Sequence, residues 1–392
     1  MTQVACRVCT GSTQVILDMG TSPVANALLA DPMAQAKQYP LGLCQCDDCG
    51  LVQNTTSLPT ATLFGADYPY YSGVSQTVRQ HAAGLAKQIA TRVGRGATAF
   101  EIGSNDGTLQ LALAQEGINC IGIDPAAGPV AAANDAGCTA YCGVLDAQMA
   151  EKVTREHGQV DVVTMSNVLA HMAAPTALLK QVRSVVKPGG LLVIEAQSWL
   201  DLVQAGAFDM VYHEHHSHFS LSTLAACVGA AGFGIVDALH VPAQGGSLRV
   251  FCELGAAHSP NITAAIAQAA PRVKLAPAQL RAKLDGFRTS AAQFADETSG
   301  KRVAGYGAAA KTVSLLAACD LTMPLTCVAD LAPSKIGKFL PIANTPIVAP
   351  DEMLADRPDA IILFAWNLQA EILPKLQGFD VWLPLPQLAK VA

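Results

Sequence analysis

The chain has 392 residues, 51 % of them hydrophobic and 14 % charged, which excludes a disordered protein and asks for more than one core. A formal net charge of −6, with no cluster of Lys or Arg, excludes a phosphate-reading surface, so nucleic acid is not an expected partner. The opening MTQVACRVCTG is no basic-then-apolar leader, and no apolar run is long enough to span a bilayer. The expectation is a soluble, cytoplasmic enzyme without membrane attachment.

Residues 1–75 read as a loop-like region rich in Pro, Asp and Cys, without helical periodicity. Five of the twelve cysteines fall in the first fifty residues. Cys6-Arg7-Val8-Cys9 and Cys46-Asp47-Asp48-Cys49 form two C-x2-C knuckles, each able to place two thiolates on one tetrahedral ion. Four thiolates leave no open coordination position, so the expected zinc is structural. Cys44 is a further thiol that could stand in for Cys46.

A helix over 74–93 is predicted next, followed by strands at ATAFEIG, NCIGID, DVVTMSN and GLLVIEA, each leading into a helix-compatible stretch. That alternation predicts a parallel sheet with helices on both faces, over residues 76–255. The first strand runs into Gly103-Ser104-Asn105-Asp106-Gly107, and the second ends in Asp124, which is placed to accept ribose hydroxyls. The turn lacks G-x-G-x-x-G spacing. Glu101, Asn105 and Asp106 suit a sulfonium with an amino-acid tail better than a pyrophosphate. The alternative is a nicotinamide-binding domain. Strand DVVTMSN ends in Asn167-Val168-Leu169-Ala170-His171, at the sheet edge where such folds present ligand contacts.

The segment Val211-Tyr212-His213-Glu214-His215-His216-Ser217-His218 holds four of the nine histidines. A zinc-protease HExxH reading fails on spacing, because the position four after His213 is Ser217. A Tyr, a Glu and a His together point to general-base chemistry, with a phenol at an oxyanion and a carboxylate setting the imidazole tautomer. An imidazole near its ordinary pKa of roughly 6.5 would serve as base.

A helix at LSTLAACVGAAG and two long antiparallel strands ending near Leu254 close this sheet. A helical stretch over 262–297, broken at Pro271 and Pro277, bridges to a second α/β domain over 256–392, with strands at KRVAGYG, LTCVAD, AIILFAW and VWLPLP. Its turn Gly305-Tyr306-Gly307-Ala308-Ala309-Ala310 matches G-x-G-x-x-A, with Lys311 after it and Asp330 one strand later. This pattern keeps an NAD-dependent sugar-nucleotide oxidoreductase open as an alternative.

Taken in order, the paired C-x2-C followed by GLVQ, YPYYSGVS at 68–75, EIGSNDG, GIDPA, NVLAHM, YHEHHSHFS, GGSLRVF, VAGYGAAAK and FAWNL resemble the zinc-containing, S-adenosylmethionine-dependent sugar C-methyltransferases. The resemblance covers nearly the whole chain. It implies an α/β protein with an N-terminal zinc-binding region, a central class I (Rossmann-like) methyltransferase domain and a C-terminal pseudo-Rossmann domain that binds a nucleotide sugar. It implies His215 as general base, Tyr212 as the enolate-stabilising group, and Glu214, His171 and Tyr70 as orienting or substrate-contacting partners. Glu101, Gly103, Asn105, Asp106, Asp124 and Asn167 would hold S-adenosylmethionine. Tyr70, Ser72, Arg249, Lys311, Trp366 and Asn367 would contact the substrate, and Cys6, Cys9, Cys46 and Cys49 would bind zinc. The implied reaction is methylation of C3 of a nucleotide-linked 4-keto-6-deoxy sugar, with dTDP as the expected nucleotide, by a protein able to act as a monomer. The alternative within transferases is methylation of oxygen or nitrogen of another small molecule. The chain departs from the family pattern at Ser72-Gly73, Gln244 and His216, which makes the identity of the sugar its least constrained feature.

Overall fold

A computed structural model describes residues 4–64, 68–318 and 325–391. Three sheets organise it. The first is antiparallel and ordered β1 (Thr13–Pro23), β2 (Gln38–Cys46), β3 (Val52–Asn54) and a short strand, Ser217–His218. The N-terminal region is therefore a sheet and not the loop-like segment expected from its composition. Its register slips between Val15 and Leu17 and again between Asp18 and Thr21, so the period-two alternation that marks a strand survives in β1 only over Leu17–Gly20.

The second sheet is built on β4 (Thr98–Ile102), β5 (Asn119–Asp124), β6 (Thr139–Cys142), β7 (Val160–Ser166) and β8 (Val186–Gln197). In chain order, β9 is the Ser217–His218 strand of the first sheet, and β10 (Phe233–Val241) and β11 (Ser247–Leu254) complete the second. Its order is β10-β11-β8-β7-β4-β5-β6, with β4 to β8 parallel and the β10–β11 hairpin antiparallel at one edge. All four predicted strands are present. The one missed, β6, has four residues, too few to carry a periodic signal.

The predicted bridge is one uninterrupted helix, Pro260–Glu297, that passes through Pro271 and Pro277 instead of breaking at them. An interior proline costs about 3 kcal/mol in a helix with nothing else to hold it. Here Ile262, Val273, Ala276, Leu280, Leu284, Phe287, Ala291 and Phe294 recur at helical spacing and are all buried. Burial of each large member is worth roughly 1.5–3 kcal/mol, so the packed stripe outweighs two missing donors. Phe287 is fully buried and its ring centroid lies 4.9 Å from that of Phe208. We expect Phe287→Ala to lower stability by about 3–5 kcal/mol in urea unfolding. A loss below about 1 kcal/mol would mean that the stripe does not hold the helix.

The third sheet contains β12 (Val303–Tyr306), β13 (Leu325–Ala329), β14 (Ile347–Val348), β15 (Ala360–Leu363), β16 (Val381–Leu383) and β17 (Ala389–Lys390), in the order β14-β13-β12-β15-β16-β17. The short β14 and β17 were not expected from sequence. Among the described residues, no helix is long and apolar enough to cross a membrane.

The three sheets share cores. Cys6, Cys46 and Leu51 pack into the cluster of Phe100, Met165, Ile194 and Phe219, while Leu17, Leu41 and Leu43 pack with Trp199, Phe208 and the long helix. The first sheet also takes its last strand from the histidine segment, where Val52 pairs with His218 and Gln53 with Ser217. That exchange has no counterpart in a chain read as three successive blocks.

Candidate active site

The sulfur atoms of Cys6, Cys9, Cys46 and Cys49 all lie within 4.8 Å of one another. Cys9 and Cys46 are 3.4 Å apart, and Cys6 and Cys49 are 3.5 Å apart. Four sulfurs at about 2.3 Å from a tetrahedral zinc stand about 3.8 Å from each other, so the cluster fits the ion in size and chemistry. Cys44 points elsewhere: it is buried, with its Sγ 3.5 Å from the Gln53 carbonyl oxygen, and is no substitute for Cys46.

The histidine segment sits where the first sheet meets the carboxyl ends of the parallel strands. His215 Nδ1 lies 2.8 Å from the Met210 carbonyl oxygen. A carbonyl only accepts, so Nδ1 carries the proton and Nε2 presents its lone pair. Nε2 in turn lies 2.8 Å from the Tyr212 hydroxyl, which donates to it. His171 is fixed the same way, with Nδ1 donating to the Glu214 carbonyl oxygen at 2.8 Å, and its ring centroid is 4.9 Å from that of His215. Main-chain carbonyls therefore set both tautomers, which corrects the expectation that a carboxylate does so.

The Glu214 carboxyl does different work. Its Oε1 accepts from the Asn26 backbone N–H at 3.4 Å and from Asn26 Nδ2 at 3.2 Å, while the buried Oε2 has no partner among the described residues. Burial pushes this carboxyl up to about 7, against the N–H donors that favour its charged form. The same burial holds His215 well below its ordinary value, with the neighbouring imidazoles adding to the effect, and brings His171 to about 4. His215 is thus neutral at pH 7, and not poised near its ordinary value as the sequence suggested. Burial and the nearby Glu214 raise the Tyr212 phenol well above its usual range, so it stays a proton donor.

Glu214 makes a signed prediction. Because its pKa is higher in the folded state than in the unfolded chain, it favours folding at low pH. That contribution disappears as pH rises from about 4.5 through about 7. Glu214→Gln should remove about 3 kcal/mol of this pH dependence. Urea midpoints of the two proteins should converge near pH 5 and separate near pH 8 in favour of the variant. Parallel curves would show that Glu214 ionises freely.

Two aromatic residues missed from sequence cover the cluster: Phe64 packs edge-on to His171 at 5.5 Å and tilts against Tyr68 at 5.3 Å. Asn26 and Asp209 were also missed. Asn26 carries no motif at all, while Asp209 sits only three residues before Tyr212 and is fully buried.

At the first glycine turn, Gly103 has φ +73° and a Cβ there would stand 2.3 Å from Val168 Cγ2, so the close approach requires glycine. Asp124 accepts the backbone N–H groups of Asn105 at 3.0 Å and Ala126 at 2.8 Å, which shapes the turn. Asn105 and Asp106 bind protein: Asn105 Oδ1 accepts Ser72 N–H at 2.9 Å, its Nδ2 donates to the Tyr70 carbonyl oxygen at 3.1 Å, and Asp106 Oδ2 accepts Gly73 N–H at 2.8 Å. These bonds clamp the Tyr70-Tyr71-Ser72-Gly73 segment over the turn. Glu101 Oε2 and Ser104 Oγ are buried without partners among the described residues. Burial beside Asp124 and Asp106 drives the Glu101 carboxyl well up. An acidic cradle with unmet acceptors fits a ligand bearing an ammonium and a sulfonium. Asn167 lies beside it in a positive-φ conformation, φ +57°, with its N–H donated to the Glu195 carbonyl oxygen.

Arg249 is not the substrate contact expected from the sequence. Its buried guanidinium donates to Glu195 Oε2 from Nε at 2.8 Å and Nη2 at 2.7 Å, and to Gln88 Oε1 at 2.9 Å, with His81 also in reach. It is a strut between β8, β11 and the helix Gln76–Val93, with no fork free for a substrate.

The second turn has Gly307 at φ +102°, where a Cβ would stand 2.8 Å from that of Ala365, so no larger residue fits. Asp330, the acidic residue of a dinucleotide reading, shapes its turn as Asp124 does: Oδ2 takes Ala308 N–H at 2.9 Å and Lys335 Nζ at 3.0 Å, and Oδ1 takes Ala332 N–H at 2.9 Å. Lys311 reaches Asn367 Oδ1, and Trp366 Nε1 donates to Asp209 Oδ2 at 2.7 Å. The structure thus brings Lys311, Trp366 and Asn367 to the base of the Tyr212 segment. Burial brings Lys311 down to about 8 and Asp209 up to about 6, and each partly offsets the other.

Three family models tile the chain. Residues 6–64 match one described as "Putative zinc binding domain", residues 76–238 a methyltransferase domain, and residues 242–383 a C-methyltransferase C-terminal domain. C-methyltransferase NovU of Streptomyces niveus is 29 % identical over 388 residues, 95 % of this chain and 92 % of that one. The chain belongs to the zinc-containing, S-adenosylmethionine-dependent C-methyltransferases. A ubiquinone biosynthesis O-methyltransferase of Pseudomonas aeruginosa is 36 % identical over 100 residues, only 24 % of this chain and 42 % of its own. The magnesium protoporphyrin IX methyltransferase of Synechocystis PCC 6803, solved with S-adenosylmethionine, covers 45 % of this chain and 79 % of its own at 15 % identity and a TM-score of 0.35, too loose a likeness to argue from. In this C-methyltransferase, the cysteine cluster is the structural zinc site and S-adenosylmethionine is the methyl donor.

Proposed function

We propose that the enzyme methylates C3 of a nucleotide-linked 4-keto-6-deoxy sugar through an enolate, with His215 as general base and Tyr212 as the enolate's hydrogen-bond donor. The observation that carries this reading is the Tyr212–His215 pair: a lone pair locked on Nε2 from behind by the Met210 carbonyl, with a phenol 2.8 Å in front of it.

A hydrogen on carbon beside a ketone becomes removable only if the developing oxyanion meets a donor already in place. With substrate bound, the Tyr212 hydroxyl turns from Nε2 to the C4 oxygen. The C3–H bond then breaks: its proton goes to Nε2 and its electron pair becomes the enolate. The new charge beside the imidazolium raises the affinity of Nε2 for the proton, which is how a base depressed by burial acts here. S-adenosylmethionine supplies, when bound, an electrophilic methyl on a positive sulfur for that carbon to take. Phe64 and Tyr68 exclude water from the carbanion, and His171 packs against the base and holds its ring. Glu214, carrying its proton for about half the time near pH 7, offers Oε2 to a sugar hydroxyl. Lys311, Trp366 and Asn367 are the groups we assign to the nucleotide end, where arriving phosphate would restore the full charge of Lys311.

The test is incubation with methyl-labelled S-adenosylmethionine and a panel of nucleotide 4-keto-6-deoxy sugars in deuterated water, read by mass spectrometry and NMR. A labelled methyl on C3, with solvent deuterium entering C3 when the donor is omitted, is the expected result. Transfer to oxygen or nitrogen of another acceptor, insensitive to Tyr212→Phe, would replace it.

A further inference from the structure

We propose that Arg7, inside the first zinc knuckle, is a positioning residue through which the metal site sets the placement of His215. The proposal rests on the reading of His215 as base. Arg7 lies between the ligands Cys6 and Cys9, where a solvent-facing side chain would be ordinary. Instead, its guanidinium turns inward. Nη1 donates to the His216 carbonyl oxygen at 3.0 Å and the Asn54 carbonyl oxygen at 3.1 Å, and Nη2 donates to Ser57 Oγ at 2.6 Å. The His216 carbonyl thus accepts two donors, Arg7 and the Asn54 backbone N–H at 3.0 Å.

A second link runs through Gln53, which is fully buried. Its Oε1 accepts Arg7 N–H at 2.9 Å and its Nε2 donates to the Ala5 carbonyl oxygen at 3.0 Å, while its main chain pairs with Ser217. Asn54 Nδ2 adds a bond to the Tyr212 carbonyl oxygen at 2.8 Å. The catalytic segment is therefore pinned on both sides of His215, at Tyr212 and at His216, by residues that the knuckle holds.

The geometry gives these pins consequence. The His216 carbonyl is one residue from the base, so a shift there swings the imidazole Nε2 relative to Tyr212 and the substrate carbon. A catalytic group tolerates only about 0.5 Å and 10–20° of such movement. The fork donates from a partly buried cation to a neutral carbonyl, an arrangement a chain has no reason to keep for zinc binding alone.

Arg7→Ala and Arg7→Lys would be compared with the wild-type holoenzyme for zinc content, urea midpoint, S-adenosylmethionine affinity, steady-state kinetics and the imidazole 15N spectrum. We expect one zinc per chain and unchanged cofactor affinity, with kcat for Arg7→Ala down about 10-fold to 100-fold and acceptor KM nearly constant. Added guanidinium should restore part of that loss, and Arg7→Lys should fall between. His215, a single Nδ1–H tautomer in the wild type, should show mixed or shifted signals in Arg7→Ala. A lowered urea midpoint with unchanged kcat and unchanged imidazole signals would reduce Arg7 to a structural contact and overturn the proposal. So would loss of zinc from both variants. The spectrum needs no methyl acceptor, so a wrong sugar leaves it intact. Retention of methyl transfer by His215→Ala would instead strike the base reading.

Discussion

His215→Ala should lower kcat for carbon methylation by about 10²- to 10⁴-fold, the range typical of a lost general base, while zinc content and cofactor affinity stay as they were. Nδ1 is committed to the Met210 carbonyl, so Nε2 is the atom that can receive a proton, and its partner is the Tyr212 hydroxyl. Tyr212→Phe keeps the base but removes the donor, and should cost about 10²- to 10³-fold. Because the two groups act in one step, the double variant should be little slower than His215→Ala. Deuterium wash-in at the acceptor carbon, followed by NMR without transfer, separates proton removal from methyl capture. Wash-in surviving in His215→Ala would assign proton removal to another group, and His171, whose Nε2 is also unprotonated, would be the first to examine.

Removal of zinc should have the largest effect on stability. Structural zinc binding is worth on the order of 10–16 kcal/mol in isolated peptides at neutral pH. Part of that is spent here on ordering a sheet with little core of its own. Cys46→Ser, or prolonged chelation, should lower the melting temperature sharply and abolish methylation in one transition. A single transition is expected because Cys6 and Cys46 share a core with Phe100, Met165 and Phe219. The measurement is calorimetry with metal analysis. A zinc-free protein that melts at the wild-type temperature would exclude a structural role for the ion.

Much of the central sheet was legible because β4, β5, β7 and β8 are short, mainly apolar runs bounded by Gly, Pro or Asp. The four zinc thiolates were legible because tetrahedral ligation imposes its spacing, and the Tyr212–His215 pair because it is local in sequence. Three features were hidden for physical reasons. The bulges of β1 scramble its alternation. The packed stripe of the long helix overrides two prolines whose effect is written in the sequence while the stripe's partners are not. Contacts such as Asn26 with Glu214, and Trp366 with Asp209, join residues 188 and 157 positions apart, and no local pattern foretells them. Arg249 shows the reverse error. The resemblance gave Arg249 to the substrate, and the buried Glu195 opposite it was overlooked.

The strand Ser217–His218, borrowed by the first sheet from the middle of the chain, also bears on synthesis at the ribosome. All four zinc ligands emerge by Cys49, yet β3 gains its outer neighbour only once His218 has been made. At roughly 5–20 residues per second, the nascent chain carries that unpaired edge for about 8–30 seconds. Such an edge is a template for wrong pairing. The brevity of β3, three residues, limits what another chain could grip in that interval.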